Sequence, residues 1–319
     1  MKVRSLGLLC AGLSVYLAAA AACGDDDDGE GDAGDGADAA PPSLYDRLGR
    51  ESGIRTVITD FVGRVLADDK INGYFLNREV DGGRLIDCLV KQVGNATGGP
   101  EVYPDPPGTQ NGCRDMAASH RGMGISTQDF NDLVGHLVAA LDEAGVARAD
   151  IQTIAGVLGP LAGDIVEDED NDATVYQRVG RKPAIKVVVA DLAARIIGDA
   201  AINGFFAQTD PERLTTCLVR QVCSIDGPCR YGSEVSATAI EPGVSADEPC
   251  RAMGPSHAGL TNPTGGDGAP ITIEDFNALV GHLVEALDEA GVAEADKNAI
   301  LGALGPLCPD IVAAPGDCP

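Results

Sequence analysis

Cys113-Arg114-Asp115-Met116-Ala117-Ala118-Ser119-His120 is written a second time, with changes, as Cys250-Arg251-Ala252-Met253-Gly254-Pro255-Ser256-His257. Further on, Asp129-Phe130-Asn131 with Gly135-His136-Leu137-Val138 recurs as Asp275-Phe276-Asn277 with Gly281-His282-Leu283-Val284. All four histidines of the chain fall in this doubled pattern. A repeat sets the architecture before any single residue does. Its period of roughly 130 residues lets each copy bury its own core, so a tandem pair is expected rather than a solenoid of small units. What both copies keep points to fold or site; what one copy has alone points to local elaboration.

The copies read as helical. In the first, Ile54, Val57, Ile58, Phe61 and Val65 recur at steps of three and four, as do Leu85, Cys88, Leu89 and Gln92. Phe130, Leu133, Val134, Leu137 and Leu141 form a third stripe, and Ile151, Ile154, Ala155, Leu158 and Leu161 a fourth. Such stripes mark amphipathic helices. Ser126-Thr127 with Asp129 reads as a helix start and Gly145 as a helix stop. The Gly/Pro-rich stretch from Gly98 to Gly112 excludes regular structure there. The second copy repeats the order over Ile185–Ile197, Leu214–Val222, Phe276–Leu287 and Ala299–Leu307, and no alternating strand pattern stands out.

The formal net charge is −26. A nucleic-acid binder needs a basic face, so that class is excluded, and the acidity reads as a solvated, self-repelling surface. Lys2 and Arg4, the apolar run Leu6–Leu17 and the small residues Ala18–Ala22 form an export signal over 1–22. Cys23 follows directly, as at a bacterial lipoprotein cleavage site, although the usual Leu three residues earlier is missing. The expectation is a membrane partner through lipid on Cys23, with plain cleavage and secretion as the alternative. Residues 23–42, rich in Asp, Gly and Ala, cannot fold alone and read as a flexible acidic tether. Setting aside Cys10 and Cys23 leaves eight cysteines. Cys88 and Cys113 recur as Cys217 and Cys250, so Cys88–Cys113 and Cys217–Cys250 are the preferred disulfides, with Cys223–Cys229 and Cys308–Cys318 as the remaining pairs. The spacings match neither a paired Cys-x-x-Cys zinc site nor covalent haem attachment.

With these residues in place, the chain resembles a fused pair of truncated haemoglobins of the first group. The resemblance is carried by Leu44-Tyr45-Asp46-Arg47-Leu48-Gly49, Arg64-Val65-Leu66-Ala67-Asp68-Asp69, Gly98-Gly99-Pro100-Glu101 and His120-Arg121-Gly122-Met123-Gly124-Ile125. Gly135-His136-Leu137, then Leu141 and Ala144-Gly145-Val146, complete it, so that it spans nearly all of Ser43 to Val166. The second copy is recognised mainly through the first and departs by two insertions, Cys223–Pro249 and Leu260–Pro270. The resemblance implies an all-α fold of two tandem truncated-globin domains, each a 2-on-2 helical sandwich, at 43–167 and 174–314. It also implies one haem b per domain, with His120 and His257 as iron ligands. The second is weakened by the insertion that displaces the Gly after Gly259.

The resemblance places no ligand at His136 and His282, which are expected to be structural. Many members carry a distal Tyr and Gln that hydrogen-bond the bound gas. The corresponding positions here are Val62 and Leu89, and Ala193 and Leu218, with Leu85 and Leu214 at the other distal positions. Phe75 and Phe206 suit either packing on the porphyrin or an ordinary core. A Cys88 thiolate could also ligate iron, but in an exported chain the disulfide is favoured. The implied function is binding of O2, NO or CO at the cell envelope, in the periplasm or on the outer membrane, with an unidentified reductase as redox partner. Two alternatives stay open: nitric oxide dioxygenation, which the missing distal donors weaken, and a haem-free globin-fold module for structure or interaction.

Overall fold

In the computed structural model, which describes residues 41–76, 81–232, 241–244, 249–263 and 268–319, the first apolar stripe becomes the helix Arg50–Ala67 (α1). Ile54, Val57, Ile58, Phe61, Val62 and Val65 are all buried on it. The export-signal reading and Cys10 and Cys23 lie outside the described residues, as does all but the end of the acidic tether. The second stripe is the helix Gly82–Ala96 (α2), started by the Asp81 carboxylate accepting from Arg84 N. Met116–His120 is a short helix (α3), and Thr127–Glu143 is the third long one (α4). Ser126 opens α4 in a reciprocal capping box with Asp129, as its sequence predicts. Gly145, at φ 74, turns the chain away behind it.

The fourth stripe differs from expectation. It runs as Arg148–Leu158 (α5), tightens into a 3-10 turn at Gly159–Leu161, and resumes as a single turn at Ala162–Ile165. Pro160 has no N–H to give, so regular helix cannot continue through it. α1 packs on α2 and α4, α4 packs on α5, and α3 packs on the Ala162–Ile165 turn. One apolar core runs through the stack, including Ile54, Ile58, Phe61, Val90, Val93, Leu141 and Ile154. Each such aliphatic side chain contributes roughly 1.5–3 kcal/mol on burial.

The second half repeats this order as Arg181–Gly198 (α6), Pro211–Cys223 (α7), Met253–His257 (α8), Ile273–Glu289 (α9) and Glu294–Leu304 (α10). The same tightening follows α10, at Gly305–Leu307 around Pro306. α6 packs on α7 and α9, and Val188, Leu192, Ile196, Leu283, Leu287 and Ile300 share a core. Within the second insertion Thr261–Asn262 pairs antiparallel with Ala269–Pro270, a ladder too short for an alternation pattern to reveal. Cys88–Cys113, Cys217–Cys250, Cys223–Cys229 and Cys308–Cys318 are all bridged, as expected.

Sequence alone left open whether the halves touch. Residues 42–319 form one compact unit, and the seam inside it is polar and partly buried. The acidic stretch after Val166 is laid against the first half: Thr127 N donates to Asp168 O (3.0 Å) and Gln128 N to Asn171 Oδ1 (2.7 Å). Beyond it, Arg181 pairs with Asp129 and Asp132 at 2.8 Å each. Lys186 pairs with Asp69, and Lys182 donates to Asn72 Oδ1 (2.9 Å) and to Glu241. Lys182 and Arg220 are 1% and 0% exposed. Burial pushes the Glu241 carboxyl up, but the Lys182 and Arg220 charges beside it outweigh that and hold it below its ordinary value. Buried ion pairs of this kind add little net stability.

Candidate functional site

α3 ends on a histidine. The Asp115 carboxylate accepts from Ala118 N (2.7 Å) and starts the helix. His120 ends it, with Nδ1 2.8 Å from Met116 O. A carbonyl only accepts, so Nδ1 carries a proton, and in the neutral ring Nε2 has the free lone pair. His257 at the end of α8 repeats the arrangement, with Nδ1 2.8 Å from Met253 O. The other histidines are the reverse: Nε2 of His136 meets Asp68 Oδ2 at 2.8 Å and Nε2 of His282 meets Asp199 Oδ2 at 2.9 Å. These join α4 to the end of α1 and α9 to the end of α6, the structural role expected of them. One pair of rings thus has its outer nitrogen engaged, and among the described residues the other pair shows no hydrogen bond there.

The segment after His120 is tightly fixed. Gly122 and Gly124 sit at φ 73 and 63, a left-handed conformation that suits glycine. Their N–H groups donate to the two oxygens of Glu167 at 2.6 and 2.7 Å. Those two bonds hold the Glu167 carboxyl below its ordinary pKa. Nothing in the local pattern singled out Glu167, which lies in an acidic run far along the chain. The second half lacks these supports. Ala313 takes the place of Glu167, each donating its N–H to the matching carbonyl, Ile271 O and Ile125 O. Ala252, where the first half has Asp115, gives α8 no side-chain cap.

The expected distal residues gather on the first core. Val62 is buried on α1, and Phe75, Leu85 and Leu89 are partly buried against it. Met116, Met123, Phe130 and Leu133, from α3, the loop after it and α4, pack on the same core and are also partly buried. In the second half Phe206 and Leu218 pack on the corresponding core, while Ala193 and Leu214 are half-buried. None of these distal side chains carries a hydrogen-bond donor. Cys88 sits between Leu85 and Leu89, but its sulfur is bonded to Cys113. A disulfide sulfur offers no thiolate, so Cys88 is removed as a metal ligand. Among the described residues no three His, Cys, Asp or Glu side chains gather as a metal centre, and His120 stands without protein co-ligands.

A family profile described as bacterial-like globin matches residues 43–167. The group 1 truncated haemoglobin GlbN of Mycolicibacterium paratuberculosis is 35% identical over 137 residues, which cover 43% of this chain and 93% of that protein. The chain belongs to the truncated haemoglobin family. The group 1 truncated haemoglobin of Tetrahymena pyriformis is 28% identical over 128 residues, 40% of this chain and 96% of its own. The ferric crystal structure of the T. pyriformis truncated haemoglobin aligns with 39% of this chain and 98% of its own at 25% identity, with a TM-score of 0.35. The bacterial-like globin profile falls on the half that carries His120, Glu167 and the residues Val62, Leu85 and Leu89.

Proposed function

We propose that this truncated haemoglobin binds haem b through Nε2 of His120 and takes up small diatomic gases (O2, NO or CO) on the face lined by Val62, Phe75, Leu85 and Leu89. A second haem is proposed at His257, beside Ala193, Phe206, Leu214 and Leu218. The observation that carries the reading is the split among the histidines. His120 and His257 donate through Nδ1 to their own helix and, among the described residues, have no hydrogen bond at Nε2, whereas His136 and His282 commit Nε2 to Asp68 and Asp199. A metal-binding imidazole is oriented in this way by a backbone acceptor on its other nitrogen. The partly buried apolar side chains around the site suit a flat apolar macrocycle. When bound, haem supplies an iron with an open position for a gas. The protein supplies the imidazole, the fixed turn after it and an apolar lining that excludes water.

Because Val62, Phe75, Leu85 and Leu89 carry no donor, they would offer a haem-bound gas no hydrogen bond, an interaction of roughly 1.5–3 kcal/mol at a charged acceptor. Nitric oxide dioxygenation, which needs oxygen held in place and a reductase, is correspondingly the weaker reading. The haem-free reading is favoured only in the second half, where the cap on α8 and the equivalent of Glu167 are both missing. We place the protein at the cell envelope, exported through 1–22 and anchored by lipid on Cys23, with globin domains at 43–167 and 174–314. The test is the visible spectrum of the full chain exported into an oxidising compartment and supplied with haemin, beside His120→Ala and His257→Ala. An intense haem band that falls by half in each variant is expected. Loss of the whole band in His120→Ala alone would restrict the site to the first half. A colourless, folded helical protein would overturn the reading.

A further inference from the structure

The carboxylate of Asp129 gathers donors from three separate segments. Its Oδ2 accepts from Ser126 N (3.1 Å), Ser126 Oγ (2.9 Å), Tyr74 Oη (2.9 Å) and Gln177 Nε2 (2.7 Å). Its Oδ1 accepts from Arg181 Nη1 (2.8 Å), which also reaches Asp132 Oδ2 (2.8 Å). Ser126 closes the loop that begins at His120. Tyr74 adjoins Phe75, and its hydroxyl also donates to Gly124 O (3.4 Å). Gln177 and Arg181 belong to the second half. Two of its side chains therefore reach, through one buried carboxylate, both the turn behind His120 and the segment bearing Phe75.

The arrangement runs one way only. Phe205 stands where the first half has Tyr74, Ala278 where it has Asp132, and Ala200 where it has Asp69. Asp275, the counterpart of Asp129, bonds among the described residues only within its own capping box with Thr272. At the first half's own leading end the counterparts of Gln177 and Lys182 are Asp46 and Glu51, which would repel an acidic acceptor face.

We infer that Arg181 and Gln177 are positioning residues for the His120 site, so that the second half holds the first half's iron-binding turn in place. This rests on the reading that His120 holds haem. The first site is then clamped from outside its own half.

The test uses the full chain with haemin in a His257→Ala background, so that only the first site reports. Two quantities are read: the rate of haem transfer to an excess apoglobin scavenger, and the iron–histidine Raman band of the ferrous protein. Arg181→Met is expected to speed transfer about tenfold, the scale of one lost charge-assisted hydrogen bond, and to shift the band. Arg181→Lys, which keeps a donor, should stay near the parent. Gln177→Leu removes one donor together with an Oε1 that has no partner, so it should fold and should shift the band in the same direction; it decides the matter if Arg181→Met does not fold. Lys186→Met, which breaks the Asp69 pair and leaves Asp129 untouched, should change neither quantity. Unchanged transfer and band in the Arg181 and Gln177 variants would overturn the inference, and so would an equal effect from Lys186→Met. A His257→Ala chain that takes up no haem would overturn the haem reading itself, and this inference with it.

Discussion

Replacing Cys88 and Cys113 together by alanine opens the bridge between α2 and the loop that leads into α3. The two cysteines are 25 residues apart in sequence, and a bridge over a loop of that length contributes about 3 kcal/mol in the chain-entropy model. Most of that contribution lies in the unfolded chain, because the folded loop keeps other holds. Arg84 donates to Asn111 O (3.1 Å) and Gly112 O (2.7 Å), and Asp105 accepts from Lys91 Nζ (2.9 Å) and from Cys113 N (2.8 Å). The double variant should therefore fold, with its unfolding free energy in guanidinium lowered by about 3 kcal/mol. Cys113 lies two residues before the Asp115 cap of α3, so the loosened loop should also release haem faster from His120. The assay pairs denaturant unfolding with haem transfer to an apoglobin, after peptide mapping has confirmed the other three bridges. A stability change below about 1 kcal/mol with unchanged haem transfer would show that the hydrogen bonds alone seat α3, and the reasoning would be refuted.

Leu89→Gln should restore a donor to the gas-binding face and slow oxygen release by roughly ten- to a hundredfold, with carbon monoxide far less affected; flash photolysis reads both, and an unchanged oxygen rate would mean that Leu89 does not face the ligand. Glu167 has a carboxyl held below its ordinary pKa by the Gly122 and Gly124 N–H groups. Its stabilisation is accordingly present above the unfolded value, near 4.5, and is lost as pH falls through the lower folded value. Glu167→Gln should flatten that acid limb in a pH series of thermal melts, and an identical limb would count against the turn-fixing role. His136→Phe removes the 2.8 Å bond to Asp68, should cost about 1 kcal/mol of stability, and should leave the haem spectrum unchanged; a shifted spectrum would place His136 nearer the iron than its bond to Asp68 implies.

Several elements were legible before any coordinates. The stripes of α1, α2 and α4, and the Ser126 and Asp129 start of α4, follow from spacing alone, because a helix is made of contacts between residues three and four apart. The Cys88–Cys113 and Cys217–Cys250 bridges followed from the doubling, since matched cysteines in two copies narrow the pairings, and the other two pairs were what remained. The break at Pro160 was also written in the sequence; an apolar stripe running through it masked the missing N–H. The histidines are the intermediate case. Their positions were readable, and the resemblance separated His120 from His136, but which ring nitrogen each one commits depends on where Met116 O and Asp68 come to lie.

By itself, then, the sequence determined the helices, their order, the truncated-globin pattern and the residue types around His120. Only the tertiary structure decided that Glu167 fixes the turn after His120, 45 residues away from Gly122, and that Arg181 reaches Asp129 across 52 residues. The first set is encoded by neighbours along the chain, where periodicity and capping act on every copy of the pattern. The second set depends on docking one packed half against another. There a carboxylate finds its donors only after both surfaces are formed, and single-residue differences such as Phe205 for Tyr74 or Ala278 for Asp132 decide which face can take part.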